Sequence, residues 1–116
     1  MITFNELLER AKVEALVVHT PTEKQATILL KALDKKGYEW FNGEKIKVDT
    51  KHGFFEATTC YNFSVDINRE LLNKKLMYDP LSYYQERDCV IIEFTDIDFQ
   101  EEQLWLHLMN YWKQEK

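Results

Sequence analysis

The side chains with the most chemistry to offer are His19, His52 and His107 together with Cys60 and Cys89. A metal centre needs such ligands to converge on one point. These three histidines lie far apart and match no ligand spacing, so they read as surface or element-end residues and no metal is expected. His19 ends an apolar run just before a helix N-terminus, where backbone N–H groups can hold an anion. Pro21 removes one of those donors, however, and Thr20 reads as the cap. Nucleophilic catalysis would set a cysteine beside a base. No such signature surrounds either cysteine, although Cys60 falls on the more polar face of its strand. With Gly 3 in the chain there is no room for a glycine-rich phosphate loop. No catalytic residue and no cofactor is expected, and the chain reads as non-enzymatic.

Charge is distributed unevenly. From Glu86 to Glu102 there are seven acidic residues against one basic residue, Arg87. Asp98, Glu101 and Glu102 suit a helix N-terminus. Together with Glu93 and Asp96 they also read as an acidic patch able to attract a basic, nucleic-acid-binding partner over a distance. The opposite pole, residues 24–51, carries seven lysines and four acids. There Lys45 and Lys47 share one face of a hairpin with Trp40 nearby, which is the pattern of a single-stranded nucleic-acid platform. Trp40 also reads more simply as core.

The third candidate surface is the C-terminal segment. Leu104, Trp105, Leu108, Met109, Tyr111 and Trp112 cover an arc of about 160° on a helix, wider than the roughly 100° that a core-facing stripe needs. Leu106 falls just outside that arc. A helix that caps the sheet accounts for most of the stripe. An uncovered edge near Leu106 and Met109, with Trp105 and Trp112, would serve a homodimer contact or a protein target, because Trp, Tyr and Met are favoured at such surfaces.

These residues must be positioned by ordinary elements. Thr3 and Glu6 form a capping box, with Ile2 and Leu7 placed as a staple, so a first helix runs from Phe4 to Ala11. Ala15 to Val18 reads as a buried strand. A second helix has Thr20 as N-cap, Pro21 at its first position and Glu23 completing a capping box. Its apolar stripe is Ala26, Leu29, Leu30 and Leu33, and Gly37 ends it. Asn42-Gly43 joins residues 38–41 to 44–48 as a hairpin. Residues 57–67 alternate as a strand, with Tyr61, Phe63, Val65 and Ile67 on one side. Residues 68–76 read either as a hairpin arm or as a short helix. Asp79-Pro80 starts a helix over 81–87, 89–94 is a second buried strand, and Asp98 with Glu101 opens a last helix from Phe99 to Lys113. The expectation is a single α+β domain over residues 1–116: a mixed sheet of four to five strands with three to four helices packed on it.

Composition agrees with that class. Apolar residues make up 45% of the 116 residues and charged residues 30%, as in an ordinary globule. A net charge of −5 opposes nucleic-acid binding over the whole surface. The N-terminus does not read as a signal peptide, and no run is long enough to span a membrane. Two cysteines fit a reduced cytosolic protein, with both as buried thiols.

The segments Lys36-Gly37-Tyr38-Glu39-Trp40-Phe41-Asn42-Gly43, Thr59-Cys60-Tyr61-Asn62, Tyr83-Tyr84 and Ile91-Ile92-Glu93-Phe94-Thr95-Asp96 together resemble small proteins of bacteriophages and prophages of Gram-positive bacteria. The resemblance spans about Val17 to Asp96 and brings no catalytic residue with it. It implies an accessory protein, cytoplasmic in the host bacterial cell, that binds and inhibits or modulates a host protein. Anti-defence and anti-CRISPR roles belong to that group. The alternative expectation is an accessory protein that binds single-stranded nucleic acid through Trp40, Lys45 and Lys47.

Overall fold

The computed structural model describes residues 1–46, 49–66 and 68–99. Among these residues it is an α+β fold with a five-stranded mixed sheet and three α-helices. In chain order the elements are β1 (Ile2–Thr3), α1 (Phe4–Ala11), β2 (Leu16–His19), α2 (Glu23–Lys35), β3 (Glu39–Trp40), β4 (Thr59–Asn62), β5 (Lys75–Pro80), α3 (Leu81–Gln85), β6 (Val90–Glu93) and β7 (Ile97–Asp98). The expected C-terminal helix lies outside the described residues. Among the described residues no helix is long and apolar enough to cross a membrane.

The sheet order is β3-β5-β4-β2-β6. β2 and β6 are parallel, β3 and β5 are parallel, and β4 runs antiparallel to both of its neighbours. β1 and β7 form a separate parallel pair, with Ile2 opposite Ile97. Two crossovers set the architecture. The β2-α2-β3 connection travels one way over one face of the sheet; β5-α3-β6 travels the other way over the opposite face. Opposite directions on opposite faces give both crossovers the same hand, as strand twist requires.

The main core lies on the α1 and α2 side. Leu7 and Ala11 of α1 and Ala26, Leu29, Leu30 and Leu33 of α2 pack on Leu16, Val18, Tyr61 and Leu76 of the sheet. Each fully buried leucine there contributes about 1.5–3 kcal/mol. The other face has a much smaller cluster, Val17, Cys60 and Tyr84, because α3 has only 5 residues with which to cover it.

Local expectations hold in part. The Thr3–Glu6 capping box and the Phe4–Ala11 helix are as expected. The N-cap of α2 is Thr22, not Thr20, and the box partner is Gln25, not Glu23. Pairing with β4 persists to Thr20, whose N–H donates to the Thr59 carbonyl at 2.9 Å. The chain therefore stays extended for two further residues. Residues 57–67 do not form one long strand: β4 stops at Asn62. There the Asn62 side-chain oxygen accepts from the Ser64 N–H at 3.0 Å, and the Ser64 hydroxyl, not its backbone, bonds to Leu16. Ile67 is outside the described residues.

The Asn42-Gly43 turn forms, with Gly43 at φ +89, but among the described residues its hairpin pairing is the Glu39–Lys45 bridge, and β3 pairs with β5. Residues 68–76 resolve as a hairpin arm, since Leu71 bridges Val65. The arm leads into β5, which runs as far as Pro80.

Candidate functional site

Register brings four reactive side chains into one row. Cys60 is opposite Asp79 on β5 and His19 on β2, and His19 is opposite Glu93 on β6. Directly opposed residues share a face. Asp79, Cys60, His19 and Glu93 thus cross the α3 side near the carboxyl ends of the parallel strands, where open sheets usually hold ligands.

The row does not assemble a nucleophile. Cys60 is fully buried, and burial, with the Glu93 charge adding to it, pushes its thiol up to about 12. Cys89 is half-buried, and burial raises its thiol too. A reactive cysteine needs the opposite shift. Both cysteines are free, but only Cys60 is fully buried. His19 offers no open nitrogen to Cys60. Its Nε2 lies 2.8 Å from the Ala57 carbonyl and its Nδ1 2.8 Å from a Glu93 carboxylate oxygen. A carbonyl and a carboxylate both only accept, so the ring nitrogen is the donor in each of these bonds.

The ring therefore ties the loop that precedes β4 to the sheet. His52 repeats the arrangement. Its Nε2 lies 2.9 Å from the Thr20 carbonyl and its Nδ1 3.5 Å from Glu23. Glu23 also accepts from the Thr50 hydroxyl at 2.8 Å. His52 is buried rather than a surface histidine, and at the N-terminus of α2 the Gln25 N–H is already taken by the Thr22 hydroxyl. His107 is outside the described residues. Among the described residues no three His, Cys, Asp or Glu side chains converge as metal ligands.

The acidic stretch is placed in part. Glu93 is bound to His19, so its charge is partly answered within the protein. Asp96 is exposed on the turn that follows β6, and Asp98 is half-buried in β7. Glu86 and Asp88 are exposed between α3 and β6. β6 is an outer strand: among the described residues nothing pairs with its far side. Its first residue, Val90, is 41% exposed. The remaining expected contact residues, Glu101, Glu102, Trp105, Leu106, Met109 and Trp112, lie outside the described residues. Phe99, where the described chain ends, is buried between Phe4 and Phe94, with ring centroids at 5.3 and 5.1 Å.

The basic pole needs a correction. Trp40 is only 6% exposed and packs against Tyr61 and Tyr78, so its ring offers no stacking face. Lys45 is exposed; Lys47 is outside the described residues. The accessible rings are Phe41, 60% exposed, and Phe54, 69% exposed. Alternation carries the signal for Phe41, since a residue that follows a buried strand residue points the other way.

Sequence reasoning missed a cavity of about 390 Å³ on the α3 side, below the row. Arg69, Arg87, Asp79, Tyr83 and Phe41 are among its lining residues. The available signal was the scarcity of arginine: there are only three, at positions 10, 69 and 87. No family model, curated protein or solved structure matches the chain.

Proposed function

We propose that this chain is a non-enzymatic accessory protein of the phage type that binds and inhibits or modulates a host protein, meeting it at the acidic edge of β6. One observation carries the reading: β6 has an open outer side among the described residues, and the exposed carboxylates Glu86, Asp88 and Asp96 flank it. An open strand edge offers unpaired N–H and C=O groups to another chain. The surrounding acids select a basic partner and repel another acidic chain, a copy of this one at −5 included. Nucleic-acid-binding effectors, host-defence nucleases among them, carry basic surfaces of that kind. The raised thiols and the engaged His19 support a binding role over a catalytic one.

The test is affinity capture from host cells with the wild-type chain and with Glu86→Lys/Asp88→Lys/Asp96→Lys, followed by titration of the recovered partner. Circular dichroism should show both folded. The expected result is a partner held by the wild type, lost with the variant and released as salt rises. A partner held equally by both, insensitive to salt, would contradict the reading.

A second reading, binding of single-stranded nucleic acid, rests on the exposed rings of Phe41 and Phe54 and on the exposed Lys45. Its mark would be salt-sensitive retention of a labelled single strand that Phe41→Ala/Phe54→Ala abolishes. No retention at low salt removes it.

A further inference from the structure

We propose that the cavity between α3, β4, β5 and the residues Val65, Asp66, Asn68 and Arg69 is a binding site for a nucleoside monophosphate, with Arg69 and Arg87 taking the phosphate and Asp79 the amino group of the base. The chain has twelve lysines and three arginines, yet among the described residues two arginines and no lysine line this cavity. Solvation alone would not sort the two residue types in that way. Arginine is the residue that grips a phosphate through a planar fork of donors, whereas lysine is a mobile point charge.

Arg87 is already oriented. Its guanidinium lies 3.6 Å from the Tyr83 ring centre, and Nη1 donates to the Tyr83 carbonyl at 2.9 Å. Glu86, at 3.9 Å, leaves most of the guanidinium's five N–H groups for another acceptor. Arg69 is presented from a turn with φ +65, a conformation a non-glycine residue adopts at a cost. Asp66 holds that turn: its carboxylate accepts the N–H groups of Asn68 and Glu70 at 2.8 and 2.9 Å. The Arg69 side chain has no ion pair or hydrogen bond among the described residues.

The rest of the cavity argues for more than an anion. Asp79 lines it as a partly buried carboxylate that accepts a single long bond, 3.4 Å, from the Tyr84 hydroxyl. Burial raises the Asp79 carboxyl above its ordinary range, so a donor placed there by a ligand would be rewarded. The Asn62 amide cannot play that part, because both of its ends are bonded to Ser64 and Val65. Phe41 adds an exposed ring, and Met77 and Val65 add apolar wall. About 390 Å³ is within the range of small-molecule sites and more than a free phosphate or one amino acid fills. Phosphate, a flat ring and an N–H donor together describe a nucleotide, and an exocyclic amine meets Asp79 better than the uracil N3–H, whose two flanking carbonyl oxygens a carboxylate repels.

The test uses the full chain, isotope-labelled, titrated by NMR with AMP, CMP, GMP and UMP, with adenosine and with inorganic phosphate. The expected result is that AMP, CMP or GMP shifts the amides of residues 65–69 and 79–89. Adenosine and phosphate should bind at least tenfold more weakly, and UMP more weakly than the amine-bearing nucleotides. Arg69→Ala, an exposed turn substitution that spares the core, should weaken the nucleotide at least tenfold. Arg87→Lys should do likewise while keeping the charge. Asp79→Asn should narrow the gap to UMP. The proposal is overturned by a lack of shifts with any nucleotide at millimolar concentration or by shifts elsewhere. It is equally overturned if phosphate binds as well as the nucleotides or if Arg69→Ala leaves affinity unchanged.

Discussion

The two faces of the sheet are built from the same strands and differ in what covers them. On one face a 13-residue helix, α2, and the 8-residue α1 close an apolar core that extends from Phe4 to Phe99. On the other, 5 residues of α3 seal only Val17, Cys60 and Tyr84. What α3 leaves over combines the polar Asp79, His19, Glu93 and two arginines with Phe41, Val65 and Met77. The strands alternate, so a single peptide such as Val17-Val18 contributes to both faces, with Val18 in the main core and Val17 in the small cluster. Stability is concentrated on the closed face. The open face and its β6 edge are where we propose that binding takes place.

The largest contrast is expected in thiol chemistry. Cys60 sits under α3 with its thiol raised and no exposure, so alkylation in the native state requires an opening of the fold. Mass spectrometry should show Cys60 labelled roughly a thousandfold or more slowly than in urea, the factor that ordinary domain stability sets. Cys89, half-buried, should label much sooner. Equal rates would show that α3 does not seal this face.

Next in size is a core truncation. Leu30→Ala, on the closed face, should lower unfolding free energy by about 2–5 kcal/mol in urea. Met77→Ala, at the cavity wall, should cost less, because Met77 is already partly exposed. A larger loss at Met77 would invert the division between the faces.

Smaller again is the helix cap. Thr22→Ala should cost about 1 kcal/mol by removing the bond to the Gln25 N–H. If the capping box were intact in that variant, as a cap at Thr20 would require, α2 would begin earlier than its hydrogen bonds show.

The smallest effect is a gain. The carboxyl of Asp79 is raised by burial, so it favours folding while protonated and its ionisation opposes folding as pH rises through the raised value. Asp79→Asn should therefore raise Tm at neutral pH, and the gain should vanish in acid, below the ordinary carboxylate range. A loss of Tm at neutral pH would show that the charged form is the stabilising one.

Local rules read the closed face well. The Thr3–Glu6 capping box located α1, the apolar stripe located α2, and alternation placed Tyr61 and Phe63 in the core. The errors occur where long-range pairing overrides local chemistry. Thr20-Pro21 looks like a cap, but the Thr59 carbonyl holds Thr20 in the sheet. Trp40 looks like part of a basic-aromatic platform, but β3 turns it inward beside Tyr61 and Tyr78. The cavity was invisible because its arginines, Asp79 and Phe41 come from four separate segments that only the strand order β3-β5-β4 and the α3 crossover bring together. Charge could be counted along the chain, but the pairing of Glu93 with His19, 74 residues away, could not.

The open edge of β6 is tested most directly by hydrogen exchange of the free protein, resolved to single amides. The Val90 N–H bonds to the Ala15 carbonyl, so by strand alternation the Ile91 N–H points to the outer side. Ile91 should exchange far faster than Val18, which sits in the second strand with partners on both sides. An Ile91 amide as slow as that of Val18 would mean that the edge is already covered, and the acidic strand could not be where a partner docks.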